Sequence, residues 1–534
     1  MNIHETATAN LANVLVEMLK SAGVKRIFGI PGGGSSLALI EAAGDADVEF
    51  VLTRTETAAA IMAAVTGELT GTPGVLLTGI GPGATSAVNG IAYASLEKAP
   101  VVLITDGPAS SPHQALDQNA LYAPISKFQG RLRPDDGAAL LANALEAALT
   151  PPRGPVQLDL TAGDATARAA HGATKRADAR PSPLSGEALE AAQTLFAQAR
   201  KPVILAGIEA RHGKAPQTLR QLADILGCPV LTSYKASGVL PSRHPGFAGH
   251  FTGAVAEAQL LHDADLIVLF GFDAIEIIPG DWPYQCPVVD LCVAQSTPLP
   301  IAPDVHLTGD LCLMVERLNC RLKSSDWTAE TISDARQRIA ASVSLEGAGH
   351  TVQSVIETLA EIAPKDTRLT VDAGAHMFAT FNAWPADDPY GVLKSNGLST
   401  MGYALPAALA SWFEQPDRPV VAVTGDGGMM MMLAELTTAV EHNADVTVIV
   451  INDAALSLID IKQQRQQYRS RGVRYPSTNF AQAAEGLGCA AWRVEEEHDF
   501  AAALQQALAV EGPALIDVVV NPDGYGEQLT RLRG

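Results

Sequence analysis

The segment Pro419-Val-Val-Ala-Val-Thr-Gly-Asp-Gly-Gly428 decides the fold. Its first half reads as a buried strand, and a strand that runs straight into glycines predicts a tight turn whose backbone N–H groups can approach an anion. Residues 429–442 have helical periodicity, and a second apolar run, 446–451, ends at Asn452-Asp453, 26 residues beyond Asp426. This is a strand-helix-strand unit with its polar residues at the carboxyl ends of parallel strands, where open α/β sheets bind ligands. Mg2+ takes oxygen ligands and shares them with phosphates. Asp426, the Asn452 amide and the Ala454 carbonyl are candidate metal ligands, and Gly425, Gly427 and Gly428 are the backbone that would lie against a diphosphate.

The same rhythm recurs on both sides. Helical stretches such as 9–22 alternate with apolar runs at 26–30, 74–78 and 100–105; a second set lies at 202–207, 229–232 and 264–271; a third occupies 368–372, 419–424, 446–451 and 514–520. A chain of 534 residues holds about three domains of ordinary size. The expectation is an α/β protein with three doubly wound parallel-sheet domains, over 1–170, 185–325 and 350–534. Residues 166–185 read as a connector, 323–349 as a polar spacer, and 521–534 as a fraying end rather than a lid over the site.

Composition removes several classes of function. A net charge of −21 disfavours nucleic acid and anionic membranes, which require clustered cations. No apolar stretch is long enough to span a bilayer, and the first residues lack the pattern of a secretory leader, so a soluble cytoplasmic protein is expected. Six cysteines without a Cys-x-x-Cys pair argue against zinc or iron–sulfur sites and read as core thiols. The one basic run, Lys462, Arg465, Arg469, Arg471 and Arg474, reads first as a solvated helix face and second as a contact for an anionic group.

Three more motifs complete the pattern. Glu56 stands where a strand-like segment enters an Ala-rich helix, Phe28-Gly-Ile-Pro-Gly-Gly33 follows a strand, and Thr78-Gly-Ile-Gly-Pro-Gly-Ala-Thr85 follows another. With Asp372-Ala-Gly-Ala-His376 and Gly397-Leu-Ser-Thr-Met-Gly402, the chain resembles, over nearly its whole length, the acetolactate-synthase-like group of thiamine diphosphate enzymes. The resemblance implies thiamine diphosphate and Mg2+ as cofactors. It implies that Glu56 is catalytic, hydrogen-bonding the aminopyrimidine N1′, and that Gly32, Pro82, His376, Ser399 and Met401 join the glycines and Asn452 around the cofactor, with Met401 as the wedge that bends it. It also implies a homodimer or dimer of dimers. Thr55 replaces a histidine frequent in the family, and Ser86 an asparagine.

The reaction so implied is decarboxylation of a 2-oxo acid followed by protonation or carboligation. Ile461 stands where biosynthetic acetolactate synthases carry a tryptophan, which weakens that particular assignment. FAD is not expected, because Gly207-Ile-Glu-Ala-Arg-His-Gly213 lacks the dinucleotide glycine pattern. The alternatives are a 2-hydroxyacyl-CoA or oxalyl-CoA type lyase using the basic run, and a non-catalytic thiamine-diphosphate-binding regulatory subunit.

Overall fold

Runs of β-branched and apolar residues buried on both faces form parallel strands covered by helices. In this computed structural model, which describes residues 9–107, 113–169, 186–277, 282–294 and 298–533, they build three six-stranded sheets in which every pairing is parallel. The first contains β1 (Arg26–Gly29), β2 (Glu49–Leu52), β3 (Gly74–Thr78), β4 (Val101–Asp106), β5 (Phe128–Leu132) and β6 (Pro155–Leu160), in the order 2-1-3-4-6-5. The second contains β7 (Pro202–Ala206), β8 (Val230–Thr232), β9 (Phe247–His250), β10 (Leu266–Phe270), β11 (Val288–Cys292) and β12 (Val305–Thr308), in the order 12-11-10-7-8-9. The third contains β13 (Arg368–Val371), β14 (Val392–Lys394), β15 (Val420–Gly425), β16 (Val446–Asn452), β17 (Ala490–Val494) and β18 (Ala514–Val519), in the order 14-13-15-16-18-17. The first and third orders are the same permutation, which gives the shared rhythm of those segments a structural counterpart.

By compactness the chain forms two units. One holds residues 1–179 with 406–416 and 432–444; the other holds 180–405, 417–431 and 445–534, and so contains the second and third sheets. No helix among the described residues is long and apolar enough to cross a membrane.

Four expectations need correction. The Asp-Gly-Gly segment is not a free turn, since Asp426 opens the helix Asp426–Met432, and the helical stretch beyond it breaks into a 3-10 turn, Leu433–Glu435, and a second helix, Leu436–Glu441. The supposed polar spacer contains the 15-residue helix Ala329–Val343, which buries Ile332, Ala335 and Ile339 on one face. Not all the cysteines are core thiols: Cys228, Cys292 and Cys489 are buried, whereas Cys320 is exposed. The connector's residues 170–185 lie outside the described residues.

The fourth correction concerns the tail. Residues Tyr525–Arg533 form a helix that buries Tyr525, Leu529 and Leu532. Gln528 donates to the Val343 carbonyl and Arg531 to that of Ser344, each at 2.6 Å, so the segment is tied down by packing and by polar contacts. Ending the chain after Asn521 therefore removes three core side chains and is expected to cost on the order of 5 kcal/mol. A fall in the urea midpoint checks this; an unchanged midpoint would return the tail to a frayed end.

Candidate active site

The site in the second unit is built around Asp372, which immediately follows β13 and is 1% exposed. Its carboxylate accepts N–H groups from Gly402 (3.0 Å), Tyr403 (2.5 Å) and Ala404 (2.8 Å), and the Thr424 hydroxyl at 2.7 Å. These contacts join the end of β13, the Gly397–Gly402 loop and the end of β15 at the point where the strand order reverses. Burial raises the Asp372 pKa, and the four hydrogen bonds oppose that rise. Gly428 is required here for lack of room, because a Cβ at that position would lie 2.0 Å from Asp372 Oδ2.

Above this support lies a cavity of about 230 Å³, lined among others by His376, Ser399, Met401, Gly425, Asp426, Gly427 and Gly428. The sequence-predicted residues of this unit thus converge, with Asn452 and Ala454 beside them. Asp426 is 3% exposed; its Oδ2 accepts the Ala454 N–H at 2.7 Å, and its Oδ1 accepts the Gly427 N–H at 2.7 Å and the Tyr475 hydroxyl at 2.6 Å. Asn452 donates its amide nitrogen to Asp517 (2.8 Å) and to the Thr478 carbonyl (2.9 Å), which leaves the amide oxygen as the atom on offer to a cation. Ala454 is held at φ 58° and Ser399 at φ 52°, left-handed conformations that glycine adopts without strain. The Ala454 carbonyl accepts the Tyr475 N–H at 3.2 Å, so only its second lone pair is left for a metal.

His376 begins the helix His376–Ala383, and burial pushes its imidazole pKa down to about 4. Its Nε2 has no partner, an orphaned polar atom at the edge of the cavity. Of the four consecutive methionines, Met429 and Met432 are buried, Met430 and Met431 are exposed, and none lines this cavity. Two buried oxygen donors, an imidazole nitrogen without a partner and glycines that admit no side chain fit a magnesium diphosphate.

Two contributors escaped the sequence reading. Tyr475 hydrogen-bonds Asp426 and Tyr525 reaches the cavity from the C-terminal helix, while Asp453, noted beside Asn452 but given no role, joins the wall. Burial, reinforced by the charge of Asp426, raises the Asp453 pKa from 3.8 to about 6. Within the basic run, Arg474 pairs with Asp460 at 2.7 Å and Arg465 donates to Thr530 at 2.5 Å, so two of the five cations are engaged within the chain.

In the first unit, Thr55 caps the helix Glu56–Thr70 by accepting the Ala58 N–H at 3.1 Å, a role that accounts for a hydroxyl at this position. The N–H groups of Arg54 and Thr55 both donate to Glu435 at 2.9 Å. Glu56 is half-buried, and a Cβ on Gly83 would stand 3.1 Å from its Oε1, so the glutamate and the Gly81-Pro82-Gly83 loop come together. Pro82 is exposed at the start of the short helix Pro82–Ser86. Asp106 organises the remaining loop, accepting the Ser35 hydroxyl at 2.6 Å and the Ser36 N–H at 3.0 Å; a Cβ on Gly32 would meet its Oδ2 at 2.4 Å.

With that geometry established, the family follows. Residues 9–129 match the thiamine pyrophosphate enzyme N-terminal TPP binding domain, 189–315 the central domain of the same family, and 372–518 its C-terminal TPP binding domain. The catabolic acetolactate synthase of Raoultella terrigena is 30% identical, the match covering 97% of this chain and 96% of the relative. Acetolactate synthase of Bacillus subtilis is 28% identical over 96% and 93% of the two chains, and the isozyme 1 large subunit of Escherichia coli K12 29% identical over 96% and 94%. The chain belongs to the acetolactate-synthase-like family of thiamine pyrophosphate enzymes, and its cofactor is thiamine diphosphate with Mg2+.

Two measurements test the site's construction. Gly428→Ala must displace the Asp372 carboxylate and is expected to destabilise the protein by about 3 kcal/mol, whereas Gly33→Ala, whose Cβ meets nothing within 4 Å, should change stability by less than about 0.5 kcal/mol. Comparison of denaturant midpoints decides between them. Because the folded-state pKa of Asp453 lies above its unfolded value, the folded protein binds the extra proton, and the stability this contributes at low pH is lost as pH rises from about 4 through about 6. Without divalent cation, urea midpoints should fall across that window, and Asp453→Asn should flatten the fall.

Proposed function

We propose that the chain is an acetolactate-synthase-type carboligase: it decarboxylates a 2-oxo acid and joins the remaining acyl fragment to a second carbonyl compound. The observation that carries this reading is the cavity itself. Asp426 and His376, whose Nε2 has no partner, line it together with the small or apolar residues Ala455, Leu456, Leu458 and Ile459. Such a wall suits a short aliphatic acyl group and offers no cation to a CoA phosphate.

When bound, thiamine diphosphate supplies an electron sink for the carbon that loses CO2. The protein's part is to hold and protect. Asp426, the Asn452 oxygen and the Ala454 carbonyl would hold the metal, His376 and the N–H groups of the glycine segment the phosphates, and Met401 and Leu456 would exclude water from the reacting carbon. Glu56 would hold a proton against the pyrimidine N1′. We keep 1–170, 185–325 and 350–534 as the domain assignment, place the protein in the cytoplasm, and extend the reading to a homo-oligomer, a dimer or dimer of dimers. An active species sedimenting as a monomer would overturn the last point.

The test is CO2 release from a panel of short 2-oxo acids with thiamine diphosphate and Mg2+. Release by the wild type that falls at least about a hundredfold in Glu56→Gln, with cofactor still bound, is the expected outcome. Undiminished release in the variant would remove Glu56 from catalysis, and silence of the wild type across the panel would overturn the substrate class.

A further inference from the structure

The second unit contains a second cavity, of about 250 Å³, that shares none of its lining residues with the first. It lies beyond the carboxyl ends of β8 and β9 and is walled by the helix Ala329–Val343 and the C-terminal half of the helix His376–Ala383. Its surface is aromatic, with contributions from Tyr234, Phe247, Phe378, Phe381 and Trp384. A cavity of about 150 Å³ accommodates benzene, so this one has room for a six-membered ring with a short substituent.

The polar groups on the wall are few, and most are committed. His250 shares a hydrogen bond of 3.1 Å with the Thr232 hydroxyl, and burial pushes its pKa down to about 4, so it carries no charge near neutrality. Glu257 accepts the N–H groups of Thr252 (2.6 Å) and Ala254 (3.0 Å). Arg336 differs. Its Nε and Nη2 donate to the carbonyls of Phe247 and His244, each at 2.7 Å, its guanidinium sits 5.9 Å from the centroid of the Phe247 ring, and no carboxylate among the described residues pairs with it. Desolvation already lowers its pKa, so the cation stands in a partly dry setting without a counter-charge.

We propose that this cavity binds a small aromatic carboxylate, the ring held among Tyr234, Phe247, Phe381 and Trp384 and the acid group paired with Arg336. The aromatic wall provides the apolar contact, and the lone guanidinium selects an anion over a neutral ring of the same shape. The site is independent of the carboligase reading, since it shares no lining residue with the first cavity.

Trp384 provides the readout. The full-length protein, loaded with thiamine diphosphate and Mg2+, is titrated with phenylacetate, which has no 2-oxo group to react, and in parallel with benzyl alcohol, while tryptophan emission is followed. Saturable quenching by phenylacetate that weakens at least about tenfold in Arg336→Met, stays closer to wild type in Arg336→Lys, and leaves the weaker benzyl alcohol signal unmoved is the expected result. Ala340→Phe, which places a ring in the cavity, should remove both signals without altering the circular dichroism spectrum. Absence of saturable quenching, equal affinity in Arg336→Met, or binding that survives Ala340→Phe would each overturn the proposal.

Discussion

The buried carboxylate of Asp372 is the interaction on which the catalytic end of the third sheet depends. A desolvated aspartate is costly unless its oxygens are filled, and here three consecutive N–H groups, from Gly402 to Ala404, and the Thr424 hydroxyl fill them. One charge therefore sets the position of the Met401 loop, the start of the following helix and the end of β15 together. Asp106 plays the corresponding part at the end of β4, accepting from Ser35 and Ser36. Two sheets of the same strand order thus use the same device: an acid at a strand end gathers a neighbouring loop.

The proposed metal site adds a second acid to the same pattern. Asp426 and Asp453 are both pushed up by burial, and the charge of Asp426 raises Asp453 further. The fold tolerates this pair through hydrogen bonds from Ala454, Ser457 and Tyr475, and a divalent cation would relieve it directly. The raised pKa values of this neighbouring pair are what a cation placed there would lower.

Much of this was legible in the sequence because it lies in contiguous motifs. The run ending at Gly425, the Asn452 that closes β16 and the loop carrying Met401 all declare themselves by a strand pattern followed by glycine or a polar residue. Short strands were not legible: Val392–Lys394 has three residues, and Ala490–Val494 contains an arginine and two alanines, too little pattern to separate from loop. Tyr475 and Tyr525 were missed for a different reason, since each arrives from a segment whose local sequence carries no sign of its destination. The helix Ala329–Val343 did carry a signal, apolar residues at 332, 335 and 339, but the charged residues between them masked it.

The fit of Gly428 against Asp372 reaches beyond catalysis. Because this glycine of the cavity wall is also the one whose missing side chain makes space for a buried acid, selection on folding alone is enough to preserve it. A descendant of this chain that had abandoned its chemistry would still be obliged to keep a glycine at this position. In lineages built on this scaffold, the glycine at 428 is therefore a record of architecture first.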